Sequence, residues 1–425
     1  MPGTVVMKFG GTSVADASRI KRAAERIVAK REAGQRVVVV LSARGKETDR
    51  LIADAFEISE TPDPREMDML LSTGERVSCA LCAMAINDLG HRAISLTGSQ
   101  AGIVTDTSHT KARILEVRAD RIRAALDEDS IVLVAGFQGV STAKDVTTLG
   151  RGGSDTTAVA LAAAIGADEC EIYTDVPGVF SADPRIVPDA RKLDIVSFDE
   201  MLEMAASGAG VLQLRSVEYA RNHGVRIHCR SSFDDSEGTI VSSEDERKDQ
   251  DMENPLITAV THSRGEARVT LIGLPDTPGI AGRVTTALAD SNVNIDMIIQ
   301  NEPRTEGALA ELSFTVPQDE AATARVALEP IATELGITVE TDESMGKVSI
   351  VGAGMKSHPG VAAKVFTVLG TQGINIDMIS TSPIRISCVV PVDKVEAAVK
   401  ALHSAFDLSG ADTIRPEQPF GEFAS

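Results

Sequence analysis

A glycine-rich loop precedes the strongest helix-forming run in the first half of this 425-residue chain. Residues 147–157 read T-T-L-G-R-G-G-S-D-T-T, and the alanine-rich run 158–164 follows directly. Glycines allow close approach, and the free N–H groups at a helix start attract anions, so this loop suits a phosphate. Arg151 and Asp155 could hold the two charged ends of a free amino acid. The alternative is a tight turn in which Ser154 or Asp155 caps the helix.

Three further charged residues lie where predicted strands or helices meet turns. Lys8 ends a strand just before Gly10 and Gly11, where an ammonium could follow the transferring phosphate of a nucleotide. Glu75 lies in an apolar setting, where a carboxylate needs a cationic partner. Asp175 ends an apolar strand, a usual place for a functional carboxylate in an α/β sheet. Each also has an ordinary explanation: a solvated strand-end lysine, a helix-surface glutamate and a turn-forming aspartate before Pro-Gly.

The charge balance argues against polyanionic partners. The chain has 62 acidic and 42 basic side chains and a net charge of −20, which repels nucleic acid and anionic membranes. A local basic pocket for ATP is compatible with that balance. No P-loop motif, Ser-His-Asp spacing or histidine cluster is present, so the sequence gives no support for covalent catalysis or a protein-built zinc site.

The five cysteines are scattered among apolar neighbours, which predicts free thiols in a reducing compartment. Cys79 and Cys82 have C-x-x-C spacing, but their buried-looking helix favours core thiols over a metal or redox site. No apolar segment reaches about 18 residues without a charge, and the N-terminus lacks a signal pattern. We therefore expect a cytoplasmic protein without a membrane partner.

Apolar strands alternate with helices over the first 230 residues, which predicts a mainly parallel sheet covered by helices on both faces. The predicted strands cover residues 5–9, 36–42, 130–137, 171–175 and 225–229. The predicted helices cover residues 17–33, 65–89, 198–206 and 214–222.

A highly charged stretch with almost no apolar residues follows the first 241 residues, and an internal repeat follows that stretch. Residues 278–298 and 359–379 share the pattern P-G-x-A followed by N-I-D-M-I, and each copy predicts a strand, helix, strand, strand unit. The predicted divisions are a domain at 1–241, a linker at 242–255, modules at 265–340 and 345–408, and a tail at 409–425.

The ordered motifs resemble those of the aspartokinase branch of the amino acid kinase family. They are K-F-G-G-T-S at 8–13, S-T-G-E-R at 72–76, V-A-G-F-Q-G at 134–139, T-L-G-R-G-G-S-D-T-T at 148–157, Y-T-D-V-P-G-V at 173–179 and A-D-P-R at 182–185. The repeat resembles that family's paired ACT domains. The resemblance implies an α/β kinase sandwich followed by two ferredoxin-like βαββαβ modules, the second completed by a strand at 256–264.

The resemblance also implies an activity: ATP-dependent phosphorylation of the side-chain carboxylate of L-aspartate to 4-phospho-L-aspartate. This is the first step toward lysine, threonine and methionine. The implied ATP-site residues are Lys8, Phe9, Gly10, Gly11, Ser42, Thr174, Asp175, Phe180 and Arg185. The implied aspartate ligands are Thr48, Glu75, Arg151 and Asp155. Lys8, Arg151 and Asp175 are the expected catalytic residues, and Mg²⁺ is expected to bind through ATP rather than through protein side chains.

The ACT resemblance implies feedback by lysine and/or threonine. The implied effector residues are Asp276, Gly279, Ala281, Asn294 and Gln300 in the first module and Asn375 and Ile376 in the second. The family also implies a homo-oligomer, or a hetero-oligomer with a shorter ACT-only subunit started near Met252.

Three departures from the family pattern bear on function. Gly210 replaces a lysine that usually contacts ATP, with Lys46 as one candidate substitute. Arg44 and Glu47 occupy the loop after Ser42, and Glu302-Pro303 follows Gln300-Asn301. Two alternatives therefore stay open: a kinase for another carboxylate such as glutamate or carbamate, and a catalytically weak amino acid sensor.

Overall fold

A computed structural model describes residues 3–243, 257–275, 277–301, 310–358 and 360–410. Asp276 and Met252, the Glu302-Pro303 departure, and most of the predicted linker and tail lie outside the described residues.

The N-terminal domain contains an eight-stranded sheet and a four-stranded sheet. Its strands are β1 (Thr4–Phe9), β2 (Arg36–Leu41), β3 (Ala93–Leu96), β4 (Ile103–Thr105), β5 (Ile114–Val117), β6 (Ile131–Ala135), β7 (Gln138–Ser141), β8 (Val146–Thr148), β9 (Glu169–Thr174), β10 (Ile195–Ser197), β11 (Ile227–Ser231) and β12 (Thr239–Ser242). The large sheet has the order β10-β12-β11-β9-β1-β2-β6-β3, and every pairing except β11 with β12 is parallel. The small sheet has the order β5-β4-β7-β8.

Helices cover both faces of the large sheet, as the apolar strand runs predict. They are α1 (Ala17–Glu32), α2 (Glu47–Ile58), α3 (Pro64–Leu71), α4 (Thr73–Asp88), α5 (Asp120–Asp127), α6 (Gly153–Ile165), α7 (Phe198–Ala206) and α8 (Leu214–His223). The predicted strands and helices are present with small shifts at their ends, and the single helix predicted at 65–89 is interrupted at Ser72.

The alternation of side chains along β1 divides the core into two layers. Val5, Met7 and Phe9 pack with α1 and α4, whereas Val6 packs in the layer that contains α6. Lys8 has the same parity as Val6, so the strand geometry directs its side chain toward α6. This orientation places a cation at the start of that helix.

One described stretch, Pro64–Asp88, is long and apolar enough to cross a bilayer by length and composition alone. Half of its most apolar part is buried inside the fold. Core helices of globular proteins have the same properties, so the stretch gives only weak support for a membrane span.

The C-terminal modules share one antiparallel sheet. Its strands are β13 (Ala259–Leu274), β14 (Ile298–Asn301), β15 (Ala310–Pro317), β16 (Thr338–Val351), β17 (Met378–Ser382) and β18 (Arg385–Pro391), in the order β14-β15-β13-β16-β18-β17. Its helices are α9 (Ile280–Asp290), α10 (Ala321–Leu335), α11 (Val361–Thr371) and α12 (Val395–Ala405).

The two long strands β13 and β16 belong to both repeats. Residues 259–263 pair with the second half of β16, which leads into the second repeat, whereas residues 266–274 pair with β15 and the first half of β16. The sequence divisions at 264–265 and 340–345 thus fall inside continuous strands. The repeat in the sequence marks the helices correctly but cannot show that its strands are fused.

The second module packs directly on the loop that follows β9 in the N-terminal domain. Phe180, Ile186 and Val187 share a core with Val348 and Leu402. The Ser181 hydroxyl donates to the Leu408 carbonyl at 3.0 Å, and its oxygen lies 3.0 Å from His403 Nε2. The two regions therefore form one continuous interior.

Gly208, after α7, lies against β13 so closely that no side chain fits. A Cβ there would lie 1.9 Å from the His262 carbonyl oxygen, and its φ is +104°. We expect Gly208→Ala to lower the free energy of unfolding by about 3 kcal/mol, because it adds both a backbone clash and a strained φ. Urea denaturation would measure this.

The matched control is Gly34→Ala, where φ is +88° but no atom of the described residues, apart from the two chain neighbours, lies within 4 Å of the added Cβ. That variant should lose only about 1 kcal/mol. Equal losses in the two variants would show that the approach of Gly208 to β13 is unimportant.

Candidate active site

A largely buried ion pair joins the end of β1 to the first turn of α6. Lys8 Nζ lies 2.5 Å from Asp155 Oδ1, with side-chain exposures of 12% and 8%. The partial positive charge of a helix N-terminus stabilises a carboxylate in its first turn, so Asp155 is favoured as an anion there. The sequence expectation gave Asp155 to the substrate's ammonium group. The structure instead pairs its carboxylate with Lys8, although the side chain still lines the same cleft.

Two loops cross beside this pair with no room for side chains. The Gly11 carbonyl accepts the Gly45 N–H at 3.0 Å. A Cβ on Gly11 would lie 2.8 Å from the Ala43 carbonyl oxygen, which is backbone and cannot move aside. Gly11 is therefore required where the two loops cross. The same crossing brings Ser42 to the edge of the cleft.

The glycine-rich loop is held from outside by one arginine. Arg215 donates to the Leu149 carbonyl at 2.9 Å and to the Ala112 carbonyl at 2.8 Å. Gly150 and Gly152 have φ of +77° and +71°, and α6 begins at the next residue. Arg151 between them is exposed, lines the cleft and forms no ion pair with any described residue. Its charge is available to a ligand.

Glu75 is a buried carboxylate with one unsatisfied oxygen. It lies in the first turn of α4, is 3% exposed, and accepts the Ala43 N–H at 3.2 Å. Its Oε2 has no hydrogen-bond partner among the described residues. Burial raises the pKa of Glu75 to about 7. An ammonium group in the cleft would supply the missing partner and favour the ionised form.

These groups surround one polar cleft of about 410 Å³. The expected site residues that line it are Lys8, Gly10, Gly11, Ser42, Thr48, Glu75, Arg151, Asp155, Thr174 and Asp175. Thr174 Oγ1 donates to Asp175 Oδ1 at 3.1 Å, which fixes that carboxylate at the C-terminal end of β9.

A second, mainly apolar cavity of about 240 Å³ adjoins the cleft and shares Gly210 and Val211 with it. Phe180 and Arg185 line this cavity instead of the cleft, and Arg185 is paired with Asp183 at 2.6 Å. A polar cleft joined to an apolar cavity matches a nucleotide, whose phosphates and base differ in the same way.

Comparison with known proteins decides the family. Residues 3–231 match the amino acid kinase family, and residues 268–332 and 348–406 each match the ACT domain. An aspartokinase from Mycolicibacterium smegmatis is 57% identical over 410 residues, covering 96% of this chain and 97% of that relative. One from Mycobacterium tuberculosis is 55% identical over 408 residues, covering 96% of each.

The chain belongs to the aspartokinase branch of the amino acid kinase family.

Solved aspartokinases have the same fold. Aspartate kinase from Synechocystis superposes with a TM-score of 0.80 at 32% identity, covering 97% of this chain and 99% of that one. E. coli aspartokinase III in complex with aspartate and ADP, in the R-state, gives 0.79 at 27% identity, covering 95% and 99%. The predicted fold class and the prediction of a kinase are confirmed.

Some residues expected from the aspartokinase motifs lie elsewhere. Phe9 is 1% exposed and stacks on Tyr173 with a centroid distance of 4.7 Å, so its side chain belongs to the core and cannot contact the nucleotide. Arg44 donates to the Ala15 carbonyl at 3.2 Å, and Glu47 pairs with Arg50 at 2.6 Å. Neither Arg44 nor Glu47 lines the cleft. The exposed Lys46, suggested as a substitute for the missing lysine, does not line it either.

Gln213 is a cleft residue that sequence reasoning missed. A Cβ on Gly152 would lie 2.0 Å from Gln213 Cγ, so the side chain fills the space that this glycine leaves. Gly152 signals a close neighbour, but only the fold shows which residue supplies it.

The effector residues expected in the ACT modules divide into two groups. Gly279, Ala281 and Gln300 line a cavity of about 260 Å³ at the start of α9. Asn294 is exposed and donates its N–H to Glu320 Oε2 at 3.1 Å. Asn375 and Ile376 are in the other module and do not line this cavity.

The raised pKa of Glu75 predicts a pH-dependent affinity for an amino acid substrate. Below about pH 7 the free enzyme holds Glu75 protonated, and a neutral carboxyl attracts an ammonium weakly. The KM for the amino acid should therefore rise as pH falls below about 7, approaching tenfold per pH unit. Steady-state kinetics from pH 5.5 to 8.5 would measure this.

The Glu75→Gln variant should raise that KM at pH 8 and remove its dependence on pH. The control Glu47→Gln changes a nearby carboxylate already paired with Arg50 and should retain the wild-type profile. A profile that persists in Glu75→Gln would assign the titration to another group.

Proposed function

We propose that the protein phosphorylates the side-chain carboxylate of L-aspartate with ATP, giving 4-phospho-L-aspartate and ADP. The proposal rests on one observation: a carboxylate and a guanidinium in the same cleft are both open to a ligand of opposite charge. Among the described residues, Glu75 has a buried oxygen without a hydrogen-bond partner, and Arg151 has a guanidinium without an ion-pair partner. A free amino acid supplies an ammonium to the first and an α-carboxylate to the second. Its side-chain carboxylate is then free to face Lys8.

Charge neutralisation and alignment are the main tasks of such a site. A carboxylate is already ionised near neutral pH, so no general base is required. Its attack on the γ-phosphate brings two anions together, and preorganised positive groups must offset their repulsion. Lys8 supplies an ammonium held in place by Asp155, and the N-terminus of α6 supplies oriented N–H groups.

Mg²⁺ fits this site as a companion of ATP. The sequence led us to expect Mg²⁺ to bind through ATP alone, but Asp175 places an oriented carboxylate at the cleft that would add one protein ligand. Mg²⁺ is usually held by one or two carboxylates together with substrate phosphates. When bound, the ion would offset phosphate charge. The apolar cavity would take the base, and Gly210 and Val211 would line the passage between base and phosphates.

E. coli aspartokinase III binds aspartate and ADP, which supports the same ligands here. The replacement of the usual lysine by Gly210 favours the weak-sensor alternative, because it removes one cation from the passage between the cleft and the apolar cavity. A different acceptor is the other alternative. Measurement of ADP release with aspartate, glutamate and carbamate as acceptors distinguishes these three functions.

We expect ADP release and hydroxamate formation with aspartate at millimolar ATP. Lys8→Ala and Asp155→Ala should each lower kcat by at least about 100-fold, because each removes part of the charge that stabilises the transferring phosphoryl group. Circular dichroism would verify folding. The control Lys46→Ala removes an exposed lysine outside the cleft and should stay within twofold of wild type.

Absence of aspartate-dependent turnover in the wild type would refute the proposed function. Normal turnover in Lys8→Ala would refute the site assignment while leaving the activity intact.

We also infer regulation by lysine and/or threonine at the ACT modules, within the pathway to lysine, threonine and methionine. E. coli aspartokinase III has been solved with lysine and aspartate in the T-state, at a TM-score of 0.69, 27% identity, and coverage of 95% and 99%. The cavity that contains Gly279 supplies a helix N-terminus able to take a carboxylate.

A buried charge cluster connects this module to the kinase domain. Lys347 Nζ contacts Asp296 at 2.7 Å and Glu266 at 2.9 Å. Burial alone would lower the pKa of Lys347, but the two carboxylates outweigh it and raise that pKa. Arg385 lies 3.9 Å from Asp296 and 3.1 Å from Glu203 on α7. A displacement of Asp296 would therefore reach α7 through Arg385. Residues 208–211, which follow α7, line the apolar cavity.

A second contact of this module lies next to the glycine-rich loop. Glu320, which accepts the Asn294 N–H, lies 3.6 Å from Lys111 Nζ. Lys111 and its neighbour Thr110 pack against Gly150. The first module thus contacts the neighbourhood of the glycine-rich loop through Glu320 and reaches α7 through Arg385 of the second module.

Gly279→Arg should raise the inhibitor concentration for half-inhibition at least tenfold and leave the uninhibited rate within about twofold. The reason is that Gly279 has φ of +97° at the start of α9, so a large side chain both strains the turn and fills the cavity. Inhibition curves with lysine, threonine and both would test this.

Gly360→Arg is the matched change in the second repeat, with φ of +103°. A response confined to Gly360→Arg would move the effector site to the second module. An unchanged response in both variants would contradict regulation at either turn.

We further infer an oligomer and a cytoplasmic location. The edge strands β14 and β17 carry exposed Ile298 and Ile379, equivalent positions of the two repeats, which could pair with another copy or with a shorter ACT-only chain. All five cysteines are buried and unpaired, which supports a reducing compartment.

A further inference from the structure

The apolar cavity beside the cleft has one wall that does not come from the kinase domain. Val260, Thr261 and His262 line it, and all three belong to β13. This strand is central in the antiparallel sheet of the two ACT modules, which we call the regulatory sheet. The opposite side is formed by the kinase loop that contains Phe180 and by the end of α7 with Met204. The cavity is thus completed only when the two regions pack together.

Thr261 is an unsatisfied polar group in this wall. The residue is 5% exposed, and its Oγ1 has no hydrogen-bond partner among the described residues. Burying a hydroxyl without a partner costs about 1–3 kcal/mol on mutational scales, so a threonine here is unfavourable unless a ligand completes it. An otherwise similar valine would avoid that cost.

The surroundings of Thr261 specify the kind of ligand. Most of the cavity lining is aliphatic or aromatic, including Val179 and Phe180, which suits a flat apolar ring. Burial lowers the pKa of His262, so its ring is neutral near pH 7 and adds no charge. A purine base offers such a ring together with amino and ring-nitrogen groups on its edge, and a hydroxyl can both donate to and accept from them.

We propose that Thr261 of the regulatory sheet hydrogen-bonds the edge of the purine base and helps to select the nucleotide. This inference rests on the proposed function only for the identity of the nucleotide. It makes the base site a joint product of the kinase domain and β13. His262 holds the wall in place, because its carbonyl lies against Gly208 at the junction.

Calorimetric titration of the full-length protein with ADP tests this independently of turnover. Thr261→Val keeps the shape and removes the hydroxyl, and it should weaken ADP binding and raise the KM for ATP by about tenfold. The value of kcat and the KM for the amino acid should change by less than twofold. Thr261→Ser retains a hydroxyl and should restore most of the affinity.

Thr341→Val is the matched control. Thr341 lies on β16, and its Oγ1 is also buried without a partner among the described residues, but the residue does not line the cavity. Nucleotide affinity should be unchanged in this variant. A loss equal to that of Thr261→Val would indicate a general effect on the sheet and overturn the proposal.

Base analogues identify the contact. Triphosphates of purine riboside, 1-deazaadenosine, 3-deazaadenosine and 7-deazaadenosine each lack one group of the base edge. The wild type should lose affinity for one of them, and Thr261→Val should lose nothing further with that analogue. Additive losses with all four analogues would overturn the proposal. Normal ADP binding without aspartate phosphorylation would instead contradict the proposed function and leave the base contact intact.

Discussion

The active site depends on keeping an ammonium largely out of water at the end of a strand. Removing Lys8 from solvent is costly unless a counter-charge lies beside it, and Asp155 in the first turn of α6 meets that need. The two residues are brought together because β1 and α6 pack in one layer of the core. The glycines at the loop crossing and in the glycine-rich loop follow from this arrangement, because backbone must approach backbone where a phosphate is to fit. Glu75 is the complementary case, a buried charge site whose partner must come from outside.

One continuous strand joins the two cavities to which the proposals assign ligands. β13 begins at the wall of the apolar cavity and ends at Leu274, which lines the cavity that contains Gly279. The strand is continuous, but its pairing register with β16 shifts between Ser263 and Arg268, so the stretch between the cavities contains an irregularity. The Asp296, Arg385 and Glu203 contacts add a charged link beside it. Both cavities therefore share one mechanical element, and a ligand in either one can bias the other only through differential contacts.

Local sequence patterns predicted much of the fold, but they could not predict which residues distant in the sequence contact each other. Apolar runs and glycine signals predicted the central strands of the large sheet and most of its covering helices, and the internal repeat predicted two modules. The four-stranded sheet, α2 and α5 were not predicted. The burial of Phe9 also follows from alternation, since it shares the parity of Val5 and Met7. In contrast, the partner of Asp155 lies in a strand distant in sequence, and no spacing rule connects the two. Thr261 was missed for the same reason, since it lies beyond the linker in a module with another predicted role. The fusion of β13 and β16 across both modules is likewise a matter of pairing rather than composition.

The core shared by the kinase loop and the second module has a consequence for synthesis on the ribosome. Phe180, Ile186 and Val187 are covered by residues as late as Leu402 and Leu408. At translation speeds of about 5–20 residues per second, that covering arrives on the order of ten to forty seconds after the loop itself. During this interval the nascent kinase domain exposes an apolar face and an incomplete base site. Newly made chains thus carry an uncovered apolar surface until translation is nearly complete, and such exposed surface favours aggregation.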